Sequence, residues 1–195
     1  MEKALEKQDT ASSNFTEADK QQLLQMSEIS LWLDTYDDIF SDFDPHPYSE
    51  RALSEDFLLE AQRASRNKPS GKLEIRFLIP ADKREAYKEG IIKKRLKEHF
   101  KKHFHLTQKE IKGVIRQGIY FALCGFILMI TATLILFKYP EQSLLASFLV
   151  VFFEPAGWYF FWEGLNLVLF DSKKIRPTLE FYEKMSKCEI SFYTY

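Results

Sequence analysis

The chain has only two cysteines among 195 residues, Cys124 inside an apolar stretch and Cys188 near the C-terminus. They are too few for a disulfide framework or a cysteine-based metal site. With seven glycines, the sequence has no glycine-rich loop that would cradle a phosphate. Nor does it contain a Ser/His/Asp or Cys-based arrangement for nucleophilic catalysis. The reading therefore leans away from an enzyme, and no cofactor is expected. Residues 1–10 lack the basic start, apolar stretch and small-residue cleavage site of a secretory signal. The expectation is that an internal helix directs membrane insertion.

What the chain does have is two long apolar runs, residues 114–137 and 143–170. A mean hydropathy of −0.27 conceals them because the apolar residues are concentrated rather than spread. A hydrocarbon core about 30 Å thick is crossed by roughly 20 helical residues. Between the runs lie only Lys138, Tyr139, Pro140, Glu141 and Gln142, so a helical hairpin is expected, with spans at about 114–137 and 143–165. Basic residues flank both spans on the same side, including Lys173, Lys174 and Arg176 after the second. The positive-inside rule then puts both termini in the cytosol and the protein in the cell (inner) membrane.

Charge is polarised along the sequence. Residues 1–70 carry 7 basic and 15 acidic side chains, whereas residues 71–118 carry 14 and 6. The basic block next to the first span comprises Lys93, Lys94, Arg95, Lys97, Lys101, Lys102, Lys109, Lys112 and Arg116. An anionic cytosolic leaflet is its expected partner, at about 1 kcal/mol per cation near the surface, and nucleic acid need not be invoked. The alternative is a solvated helix face paired with the acidic block.

Alternation marks three strands outside the spans: residues 28–34, 72–79 and 188–193. Ser54 opens a helix through Phe57, Leu58, Ala61 and Ala64, followed by a loop at 67–71. Asp82 with Glu85 suggests a capping box for a helix carrying Ile92, Leu96, Phe100 and Phe104. Thr107 with Glu110 suggests a second box, with a break near His105-Leu106. Pro177 suits the first turn of a later helix. The expected fold is an α+β membrane protein. Its two-helix transmembrane hairpin (113–170) is inserted in a cytosolic module of about three strands and three helices, built from 28–112 and completed by a helix and strand in 171–195. Residues 1–27 are expected to be largely disordered, with a short helix from Thr16 through Leu24.

The segments Asp37-Asp38-Ile39-Phe40-Ser41-Asp42-Phe43-Asp44 and Glu154-Pro155-Ala156-Gly157-Trp158 resemble a family of uncharacterised two-span integral membrane proteins of prokaryotes. The resemblance covers roughly residues 28–195. Where that family carries Trp-Arg-Pro in its second span, this chain has Trp162-Glu163-Gly164.

Three constellations are candidate sites. Asp34, Asp37, Asp38, Asp42 and Asp44 are expected to serve caps, turns and pairing with the basic helix; the alternatives are a partner-binding surface and a Mg²⁺ or Ca²⁺ site supporting a metal-dependent enzyme. His99 and His103 have zinc-compatible spacing, but neighbouring lysines argue for a polar helix face. Within the hairpin, residues whose numbers sum to about 281 share a depth, which sets Gly157 against Gly125 and Gly164 against Gly118. Ala122 fills the turn between them. Glu154 then falls at mid-span on or near this face, where a buried hydrogen bond is expected; the alternative is a homo-oligomeric proton or ion conduit. Glu163 is expected to pair with Arg116 at the cytosolic interface. Together these features suggest a membrane-anchored binding or scaffolding protein that acts through its cytosolic module on a protein partner or as a homo-oligomer.

Overall fold

The structure is a computed structural model and describes residues 28–66, 68, 73–138 and 143–194. The short N-terminal helix, most of the 67–71 loop and the connector at 139–142 fall outside the described residues.

Period-two alternation produces three strands, β1 (Glu28–Trp32), β2 (Glu74–Ile79) and β3 (Glu189–Thr194). They lie in the order β1-β2-β3 and both pairings are parallel. A parallel pair cannot be joined by a tight turn, so a helix must carry the chain back between strands. Helix α1 (Glu55–Ser65) does this between β1 and β2. The Ser54 hydroxyl accepts from the Phe57 N–H at 3.5 Å, while Glu55 and Asp56 place negative charge at the positive end of the helix dipole.

The crossover from β2 to β3 is far longer. It consists of α2 (Ala86–Lys138), α3 (Leu144–Asn166), a single wide π turn (Leu167–Asp171) and α4 (Ser172–Lys187). The helix count differs from the expectation. The basic helix and the first span form one continuous helix of 53 residues, with no break at His105-Leu106. No proline interrupts residues 86–138, and a capping box starts a helix only where the preceding backbone has left the helical region. Asp82 lies in a separate 3₁₀ turn (Ala81–Lys83) ahead of α2. Pro177 sits inside α4 rather than in its first turn, because the helix already begins at Ser172.

The chain divides into two compact units: Met1–Lys101 with Phe181–Tyr195, and Lys102–Glu180. In the first, Ile29, Ile75, Phe77, Ile79, Ile190 and Phe192 form the apolar side of the sheet. Against it pack Phe57 and Ala61 of α1, Ile92, Leu96 and Phe100 of α2, and Phe181 and Met185 of α4. The four-residue steps on α2 and α4 put each set on one helix face. Edge and tilted ring contacts, Phe57 to Phe77 at 5.9 Å and Phe100 to Phe181 at 6.2 Å, close the core.

In the second unit, α3 starts at Ser143, whose hydroxyl accepts from the Ala146 N–H at 3.3 Å. Two helices are long and apolar enough to cross a membrane, and only 11% of each apolar window is buried. A core helix of a soluble protein would be mostly buried. The two spans meet through backbone. A Cβ on Gly125 would lie 2.5 Å from the Gly157 carbonyl, and one on Gly164 would lie 2.5 Å from the Gly118 carbonyl. Only glycine permits such an approach.

The β2–β3 pairing has a measurable consequence. Phe192→Ala removes a ring packed 5.1 Å from Phe77 and should cost about 3–5 kcal/mol. Amide hydrogen exchange across Glu74–Ile79 should accelerate accordingly, although the mutation lies over a hundred residues away. Unchanged protection there would show that the strands are energetically independent.

Candidate functional site: the open face of the parallel sheet

With three helices on one side of the sheet, the other side holds the alternate residues of each strand. Register aligns them in three rows: Glu28, Glu74 and Glu189; Ser30, Arg76 and Ser191; Trp32, Leu78 and Tyr193. Trp32 is 67% exposed and Tyr193 42%. Parallel sheets are ordinarily covered on both faces, and among the described residues no helix packs on this one.

Arg76 organises the face. Its guanidinium meets Glu28 at 2.6 Å and Glu74 at 3.0 Å, and its Cζ stands 5.2 Å from the Tyr193 ring centre. The Tyr193 hydroxyl donates to Glu74 at 3.3 Å. Burial pushes the Glu74 carboxyl up, but hydrogen bonds from Arg76, Ser191 and Tyr193 outweigh it and hold the group below its ordinary value. Three carboxylates against one guanidinium leave the face acidic at one end and apolar at the other.

The carboxyl ends of β1 and β2 are closed by a polar network. The Tyr36 hydroxyl donates to Glu89 at 3.1 Å and accepts from the Glu85 N–H at 2.9 Å. Arg84 grips Glu89 with two hydrogen bonds of 2.8 and 3.0 Å. Glu89 is buried, and Arg84 holds its carboxyl below the usual range. These bonds tie the start of α2 to the loop after β1.

The acidic segment is spent locally. Asp38 accepts from the N–H groups of Asp34 and Thr35 at 2.7 and 3.0 Å. Asp37 pairs with Arg51 at 2.6 Å and Tyr48 at 3.1 Å, and Asp42 lies 3.9 Å from Arg51. Asp44 accepts from the Ala52 and His46 N–H groups, which bring it down to about 2. Within the segment Arg51 thus serves Asp37 and Asp42, and the His46 ring serves Asp44. Among the described residues no group of three or more metal-ligating side chains gathers.

Arg95 of the basic block donates to the Arg51 and Glu50 carbonyls, both at 3.1 Å, and Lys93 lies over the Phe192 ring at 5.6 Å. Lys94 stands 3.9 Å from Glu98 on its own helix. Lys97, Lys101, Lys102, Lys109, Lys112 and Arg116 are exposed. His99 is half-buried, edge-on to Phe100 at 5.8 Å.

Two expectations within the hairpin change. The seam on α3 is Ala146, Val150, Gly157 and Gly164, and Glu154 lies on its flank and is exposed. A step of three residues back from Gly157 rotates by about 60°, enough to leave the contact. Glu163 is half-buried, and among the described residues no ion pair joins it to Arg116. Gly164 sits between Gly118 and Ala122, so Glu163 is level with about Phe121, roughly 7 Å along the axis from Arg116.

Sequence reasoning did not find the open sheet face. Alternation marked Trp32, Arg76 and Tyr193 as facing away from the core, but it carries no information on strand direction or on what covers that side. Aromatics in the solvent phase of two strands were the available signal. The chain matches no protein-family model, no curated protein and no solved structure.

The Glu89 network makes stability pH-dependent. Glu89 titrates below its unfolded value of about 4.3, so its contribution is complete above that value. It is lost as pH falls through the lower folded value. Glu89→Gln should lower stability by about 1 kcal/mol at neutral pH, the partial exposure of Arg84 limiting the loss. The variant should also show a shallower loss on acidification, read from urea midpoints between pH 7 and 3.

Proposed function

We propose that the chain is an integral membrane protein whose helical hairpin anchors a cytosolic module, and that the module binds a protein partner through the open face of its sheet. The observation carrying this reading is that face: a parallel sheet whose described helices all pack on the opposite side, with Glu28, Glu74 and Glu189 in one row and Arg76, Leu78 and the exposed Tyr193 beside them. The exposed apolar windows support the anchor. Basic residues on both flanks of the hairpin support cytosolic termini.

Complementarity defines the occupant. A helix laid on a parallel sheet covers about three strands and brings an apolar side to it. The glutamate row, with Glu189 exposed and only Arg76 to offset it, selects a helix with Lys or Arg at that end. The partner is therefore an amphipathic, basic helix of another protein, and the anchor keeps the encounter at the membrane surface.

A photoreactive side chain introduced at Ser30 or Tyr193 should capture one defined segment of this character. Glu189→Lys should weaken the capture while leaving the fold intact. Adducts only to residues 1–27 of the same chain, or none, would contradict the reading.

A further inference from the structure

We infer that two copies of this chain associate in the membrane through α3, with the Glu154 carboxyl of each hydrogen-bonded to that of the other. This rests on the membrane reading above and deepens it. Glu154 is the eleventh of the 23 residues of α3, so about 15 Å of helix separates it from either end. A glutamate side chain cannot reach an interface from that depth. Its outward exposure leaves a polar group facing hydrocarbon, a costly placement for an ionisable residue. The first span offers no remedy, since no basic residue occurs between Arg116 and Lys138.

The chemistry favours a second copy over a different protein. A protonated carboxyl is both donor and acceptor, so two of them brought together by a two-fold axis satisfy each other at the same depth. A basic partner would instead bring a second expensive charge into the bilayer. The neighbours suit such a contact. Val151 and Trp158, about one turn to either side, are apolar and exposed by 70% and 58%. The glycine seam faces the first span and is already occupied, so the Glu154 flank remains available while the hairpin stays closed. A dimer would also present two open sheet faces on one side of the membrane.

The full-length protein should be reconstituted in phosphatidylcholine vesicles at low protein-to-lipid ratio and its association measured by single-molecule photobleaching. The native chain should be dimeric. Glu154→Gln should associate comparably because an amide is likewise self-complementary, and Glu154→Leu should weaken association about tenfold. In a Cys124→Ala background, Val151→Cys should cross-link between copies and Tyr159→Cys, on another face of α3, should not. Flotation with the vesicles separates the two readings. A chain that does not float overturns the anchor and this inference with it. A chain that floats but stays monomeric, or associates equally well as Glu154→Leu, overturns the inference alone.

Discussion

The parallel pairing of β3 with β2 constrains everything between them. Parallel strands enter the sheet from the same end, so a chain leaving β2 must travel back before it can form β3. Most proteins manage this with one helix of a dozen or so residues. Here the crossover includes a 53-residue helix, a second long helix and a shorter third one. An excursion into the bilayer that ends in the same sheet has to contain an even number of crossings. Two helices long and apolar enough to cross a membrane meet that requirement, and the proposed topology then returns α4 to the compartment from which α2 sets out.

Within the hairpin, association cannot rely on the hydrophobic effect if lipid is the solvent, because the tails are as apolar as the side chains. Contact between backbones replaces it. The Gly125 and Gly164 positions bring one helix against the carbonyls of the other, which gains dispersion contacts without side-chain ordering. The threonine hydroxyls are settled internally: Thr131 donates to the Ile127 carbonyl at 2.8 Å and Thr133 to Met129 at 2.9 Å. Glu154 differs from these threonines, as a carboxyl on the exposed flank. By contrast Glu89 and Arg76 of the sheet unit are paired within the unit.

Much of this was legible in the residues. Alternation located all three strands because one face of each is buried, and the Ser54 cap located α1. Strand direction was not legible, since period two is the same in parallel and antiparallel pairs. The break expected at His105-Leu106 illustrates a second limit: Thr107 and Glu110 have capping-box spacing, but a continuous helix satisfies the same backbone groups without a cap. Glu154 illustrates a third. Its closeness to Gly157 in sequence suggested a shared face, yet a rotation of about 60° decides between seam and exposed flank, and the side-chain pattern of a uniformly apolar helix cannot resolve it.

The central claim is that both apolar helices cross a membrane and return the chain to one side. Cysteines introduced one at a time at Lys94, Gln142 and Lys173, in a background without Cys124 and with Cys188 buried in the sheet core, test it directly with a membrane-impermeant maleimide applied to intact cells. The account predicts labelling at position 142 in intact cells and at 94 and 173 only after permeabilisation. Equal labelling of all three positions before permeabilisation, or protection of all three, would contradict it.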